Sequence, residues 1–323
     1  MKIIHIGLPK NASTSLQSQW SLRQDINYAS DSLYSLVTET RKAIVSGSDP
    51  NQLLELWPRM THSGEISLYS SEGLCGLPWG YQVTEQEYDY GQYLFANICK
   101  EMEPDAYIFL VVRSPEKWLR SVYLQMIQEG ANFGYASFIR KQKEYLRSVL
   151  NLKTLLQHWQ EAYGEEKVIV YPFEKLVEQP SVANTEISHR LGISASLNLF
   201  NITSKSNTSL SVENAQLLRA LSILNKRIKG KDQQLALSFN RLNEDLRQLY
   251  RVQLQHTPKK FSFLKKLLAP MDFSFPHNER LEFNSLLLNS FVQELTQQDT
   301  LGDIVSSYKA NIDKYFTPKE KEG

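Results

Sequence analysis

Cysteine is scarce in this sequence and forms no pattern. Cys75 and Cys99 stand alone, with no Cys-x-x-Cys pair and no Cys/His cluster at zinc-like spacing. No metal site is expected, and the two thiols read as reduced rather than bridged. No run of about 18 apolar residues occurs, so a membrane-spanning helix is not expected. Net charge is also nearly absent, at +1 over 323 residues. That excludes a global field for nucleic acid or for an anionic membrane, and any anion site has to be built locally. Met1 to Gly7 is too short for the apolar core of a secretory leader, and a cytoplasmic protein is the expectation. Internal repeats and low-complexity linkers are missing too.

What is there is an ordinary globular composition, 41% hydrophobic and 22% charged. Short apolar runs alternate with helical patterns. Ile3–Ile6 reads as a buried strand ended by Gly7 and Pro9. Ser13, Thr14 or Ser15 is then expected to cap a helix carrying Leu16 and Trp20 on one face. Short strands follow at Ile26–Tyr28 and Ile66–Tyr69, with helical stretches over 32–46, 50–58 and 84–102. Tyr107–Val112 is the strongest strand signal, and Pro115 suits the first turn of a helix reaching about Gln128. Residues 138–163 read as one long helix stopped by Gly164, before a strand at Val168–Tyr171. Beyond Val212 the chain reads as mostly helical. This order predicts a doubly wound parallel sheet with helices on both faces and a largely helical C-terminal part. The expected organisation is one domain, with a nucleotide-binding α/β core over 1–225 and a helical extension over 226–323.

A loop between a buried strand and a helix is a natural anion site, because first-turn N–H groups and the helix dipole both favour negative charge. Here the loop also brings Lys10 and the hydroxyls of Ser13, Thr14 and Ser15. The ordinary G-x-x-x-x-G-K-[ST] loop is absent. A nucleoside triphosphatase also wants a strand ending in Asp to manage magnesium, whereas Tyr107–Val112 runs into Arg113. An arginine there suits a bare phosphate.

Pro9-Lys10-Asn11-Ala12-Ser13-Thr14-Ser15-Leu16-Gln17 resembles the 5′-phosphosulfate loop, P-K-T-G-T-T-S-L-Q, of sulfotransferases that use 3′-phosphoadenosine 5′-phosphosulfate (PAPS). Asn11 and Ala12 stand where that pattern has Thr and Gly. An alanine fits there if its φ is negative. Arg113-Ser114-Pro115 through Ser121 and Tyr123 resembles the family's 3′-phosphate motif, R-x-P-x-x-R-x-x-S-x-Y, with Trp118 in place of the middle Arg. Val168–Leu176, Arg190–Ile193 and Asn207–Ser211 are similar to later family segments. The resemblance implies sulfuryl transfer without a metal, and adenosine 3′,5′-bisphosphate as product. The implied nucleotide contacts are Pro9, Lys10, Asn11, Ala12, Ser13, Thr14, Ser15, Arg113, Ser121, Asn207 and Ser209.

Sulfuryl transfer needs a cation at the leaving oxygen and a base for the acceptor's proton. Lys10 suits the first role. Glu72, which follows the Ile66–Tyr69 strand in a segment resembling a family S-S-E, is the first choice for the second, and His62 the next. His5 lies inside the first strand and reads as buried structure. The expected acceptor is a hydroxyl, or an amine, of a small metabolite or saccharide. Tyr81, Tyr88, Tyr90, Phe133 and Tyr135 lie in segments expected near the cleft mouth, although aromatics at such spacing usually serve packing. The basic clusters near Lys229, Lys259 and Lys265 read as solvated helix faces. A small-molecule kinase, or a catalytically degenerate nucleotide-binding protein of the same fold, is the alternative.

Overall fold

The computed structural model describes residues 1–29, 32–46, 50–58, 65–75, 84–202 and 212–228, with positions 241, 244 and 245. Among these, 1–118 and 142–202 form one compact unit and 119–141 with 212–228 a second.

The first unit is built on five parallel strands: β1 (Lys2–His5), β2 (Asn27–Ala29), β3 (Ser67–Ser70), β4 (Tyr107–Val112) and β5 (Val168–Pro172). Their order across the sheet is β2-β3-β1-β4-β5. The register pairs His5 with Ser70 on one side of β1 and with Phe109 on the other. The helices are α1 (Ser13–Ser21), α2 (Ser32–Ser46), α3 (Glu85–Met102), α4 (Pro115–Gln128), α5 (Tyr135–Lys141), α6 (Lys143–Leu150), α7 (Leu152–Tyr163), α8 (Phe173–Glu178), α9 (Pro180–Leu191) and α10 (Val212–Ile228). Helix α4 begins in the first unit and continues into the second, which also holds α5 and α10.

The central strands read as continuous apolar runs because both faces are covered. Ile3, Phe109, Val111, Ile169 and Tyr171 point into a core with Leu16 and Trp20 of α1, Leu176 of α8 and Ile187 of α9. The alternate residues Ile4, Ile108, Leu110, Val168 and Val170 are equally buried, and α7 lies against β4 and β5. This is the doubly wound α/β architecture that the strand–helix alternation predicts. The expectation of helices beyond Ile228 falls outside the described residues.

Two local expectations are corrected. Residues 138–163 are not one helix. The chain starts afresh at Gln142 and Asn151, whose carbonyls accept the first bonds of α6 and α7 from Leu146 and Leu155 at 2.8 and 3.1 Å. The Asn151 side chain also accepts from the Thr154 N–H, the competing role that makes asparagine a cap rather than a helix interior. The stretch 50–58 forms a 3-10 turn, Pro50–Leu56, rather than an α-helix. Gly164 does end α7, at φ 88°.

Candidate active site

In a parallel sheet all strands deliver their carboxyl ends to one edge, and ligands bind where the winding reverses. Here the chain lays β2 and β3 on one side of β1 and then crosses to β4 on the other. The loop after β1, the turn after β3 and the turn after β4 therefore open side by side. They carry Lys10, Glu72 and Arg113.

The loop after β1 has an unusual backbone. Lys10 and Ala12 both take left-handed conformations, at φ 66° and 68°, while Asn11 between them does not. Alternation of this kind turns successive N–H groups toward one side and makes an anion-binding concavity. Ala12 is also the N-cap of α1, and its carbonyl accepts from the Leu16 N–H at 3.0 Å. This corrects two expectations. No hydroxyl of Ser13, Thr14 or Ser15 caps the helix, since all three lie within its first turn. And Ala12 does not have negative φ; without glycine, the left-handed geometry costs roughly 1–2 kcal/mol at each of Lys10 and Ala12. Gly7 is required for a different reason. A Cβ there would stand 2.5 Å from Ser13 Oγ and 2.8 Å from the His5 ring.

Glu72 opens a single 3-10 turn, Glu72–Leu74, after β3. The Ser13 hydroxyl, which donates to the Leu8 carbonyl at 3.5 Å, and the charge of Lys10 both act on its carboxyl. Burial pushes its pKa above the usual carboxylate range and outweighs both of those contacts, which pull it down. The fold thus brings together Lys10, Ser13 and Glu72, residues some 60 positions apart in sequence. A half-buried carboxyl of raised proton affinity that feels an ammonium charge is a group able to accept a proton.

On the other side of β1, the Arg113 guanidinium lies over the Phe173 ring, 4.4 Å from its centroid. Its Nη1 donates to the Lys10 carbonyl at 3.4 Å. The neighbouring Glu174 receives the Ser114 N–H at 3.5 Å and pairs with Lys117 at 3.7 Å. Trp118 is buried, and its indole N–H donates to the Pro9 carbonyl at 2.8 Å. The side chain of Asn11 is buried as well and donates to the Val111 carbonyl at 2.9 Å. Sequence reasoning did not assign these contacts. The tryptophan and asparagine stood out only as departures from a pattern, and Phe173 only as a residue following a strand.

His5 is fully buried, and burial lowers its pKa to about 3, so the imidazole is neutral. Its Nδ1 shares a 2.8 Å hydrogen bond with Ser70 Oγ, which also accepts from Gln17 Nε2 at 2.9 Å. This tie joins β1, α1 and the end of β3 just before Glu72, in keeping with a structural histidine. Ser121 lies two turns along α4, in the second unit, and is buried. His62, Asn207, Ser209 and Tyr81 lie outside the described residues, as do the late basic clusters. Tyr88 is buried and donates to the Cys75 carbonyl at 2.6 Å, a packing role. Tyr90 is exposed and stacks on Tyr93. Within the second unit, Tyr123 contacts Tyr135 edge-on, and its hydroxyl donates to the Phe133 carbonyl. Cys75 and Cys99 are buried free thiols. Among the described residues there is no cluster of metal-ligating side chains and no helix long and apolar enough to cross a membrane.

A search of curated proteins returns no match. Among solved structures, a sulfotransferase from Alicyclobacillus acidocaldarius is 17% identical at a TM-score of 0.44, covering 68% of this chain and 90% of that one. The family comparison is decisive. Residues 2–179 match the family described as sulfotransferase domain, a span that takes in β1 through β5 together with Lys10, Glu72 and Arg113. Over more than half of its length, the chain belongs to the sulfotransferase domain family.

Proposed function

We propose that this sulfotransferase takes its sulfuryl group from PAPS and passes it to a hydroxyl of a small metabolite or saccharide. The observation that carries the reading is the placement of Lys10, Glu72 and Arg113 in the turns after the neighbouring parallel strands β1, β3 and β4, with burial raising the proton affinity of Glu72. The residues present suit the donor. The alternating backbone at Lys10, Asn11 and Ala12 offers N–H groups to an anion, and Arg113 stands at the end of the adjacent strand for a second phosphate. When bound, PAPS supplies a sulfuryl group on a phosphate leaving group.

Each residue then has a task. Glu72 accepts the proton of the acceptor hydroxyl as its oxygen bonds to sulfur. Lys10 stabilises the negative charge on the phosphate oxygen released as the sulfur–oxygen bond breaks. Arg113, braced on Phe173, holds the 3′-phosphate through a charge-assisted fork. A pre-arranged base and cation lower the barrier by orientation as well as by charge.

The deciding experiment incubates the protein with PAPS and a mixed acceptor library, without added metal, and follows products by mass. A product that gains one sulfuryl group supports the reading. Transfer from ATP that depends on magnesium, or nucleotide binding with no turnover on any acceptor, overturns it.

A further inference from the structure

Three successive residues of the loop after β1 are each held by the segment running from β4 into α4. The Pro9 carbonyl accepts from Trp118 Nε1 at 2.8 Å, and the Lys10 carbonyl from Arg113 Nη1 at 3.4 Å. The Asn11 side chain donates to the Val111 carbonyl at 2.9 Å. The two short bonds come from buried side chains, where a hydrogen bond is protected from competition by water. In the same stretch Lys10 and Ala12 have positive φ with no glycine to ease it. Such conformations persist where surrounding structure over-determines them. The bonds and the unfavourable backbone therefore belong to one arrangement.

We propose that Trp118 and Asn11 are positioning residues for the anion loop. Their hydrogen bonds to residues on β4 and in the loop hold Pro9 to Ala12 in an alternating geometry that lysine and alanine do not keep unaided. Through it they set where the Lys10 ammonium stands relative to Glu72. Trp118 does this with a ring N–H aimed at a backbone carbonyl, so the hydrogen-bonding atom matters and not only the volume of the ring.

The test uses Trp118→Phe and Asn11→Ala in the full chain, each with and without Ala12→Gly. Glycine takes positive φ without steric cost, so it should restore what the lost bond took away. Two readouts apply. One is amide hydrogen exchange over residues 10–14, which needs no ligand. The other is the dissociation constant for adenosine 3′,5′-bisphosphate by calorimetry, whose interpretation rests on the PAPS reading above.

Each single variant should speed exchange in the loop and weaken nucleotide binding by roughly tenfold. Adding Ala12→Gly should recover a large part of both. Unchanged loop exchange in both single variants, or no recovery with glycine, overturns the proposal. If Trp118→Phe does not fold, Asn11→Ala reads the same arrangement through the other short bond. If the wild-type protein does not bind the nucleotide while loop exchange follows the expected pattern, the donor assignment fails and the positioning role stands.

Discussion

Glu72 and Glu103 are carboxylates shielded from water in the same unit, and they show how differently one sheet uses its two edges. Glu103 follows α3, toward the amino end of the strands. It is 4% exposed, receives the Tyr69 hydroxyl and pairs with the Lys2 ammonium. Burial and Glu103 together raise the Tyr69 pKa strongly, which keeps its proton in that bond. Glu72 sits at the carboxyl edge, where a serine hydroxyl and the charge of Lys10 together do not offset its burial. Glu103, enclosed by a hydroxyl and an ammonium group, ties β3 and β1 to the end of α3. Burial raises the proton affinity of Glu72 instead, the property on which its proposed role as base draws.

The sharpest way to break this comparison is to neutralise each acid in turn. Glu72→Gln should lower turnover by about 10²–10⁴-fold with nucleotide affinity unchanged, the range expected for loss of a general base. Unaltered steady-state turnover would falsify its assignment as base. Lys10→Ala should lose about 10²–10³-fold in kcat, as for removal of a group facing developing negative charge. Retention of full activity would transfer that role elsewhere. Arg113→Ala should weaken adenosine 3′,5′-bisphosphate by roughly 10–100-fold in calorimetry, the cost of one charge-assisted contact. Wild-type affinity there would sink the 3′-phosphate assignment.

Smaller effects concern stability. Glu103→Gln should lower it by about 1 kcal/mol, since Lys2 is half exposed and its pairing is screened, and should leave turnover intact. A matching loss of activity would erase the distinction between the two edges. The pH dependence separates them further. Because the Glu72 pKa is raised in the fold, the folded state binds that proton more tightly than the unfolded chain does. Ionised Glu72 thus subtracts stability as pH rises through its folded value. Thermal melts should show Glu72→Gln above wild type at neutral pH, with the difference vanishing in acid. The acid limb of the activity profile should lie above the ordinary carboxylate range; a limb at an unshifted value would contradict the burial argument.

Much of this was legible in the sequence because it is local. The bounds of β4 and α4 follow from an unbroken apolar run and from Pro115 at a helix start. Lys10, Glu72 and Arg113 could be placed at one edge because parallel strands leave no other place for their ends. What could not be read depends on contacts across the chain. The glycine of the resembled loop pointed to positive φ at position 12, but an alanine there reads as negative φ, since the bonds that accompany its left-handed backbone come from about 100 residues away. The breaks at Gln142 and Asn151 were hidden because apolar spacing continued across them, while the asparagine side chain chose capping over continuity.

The ties between the loop and the segment after β4 also bear on the order of assembly. Asn11 bonds to Val111, 100 residues on, and Trp118 to Pro9, 109 residues back. During synthesis the first strand and its loop leave the ribosome long before these partners exist. Contacts of such separation are slow to close, because the chain entropy of the loop must be overcome before any bond rewards it. The loop after β1, made first of the three turns that carry Lys10, Glu72 and Arg113, therefore takes these bonds only once Val111 and Trp118 have been made.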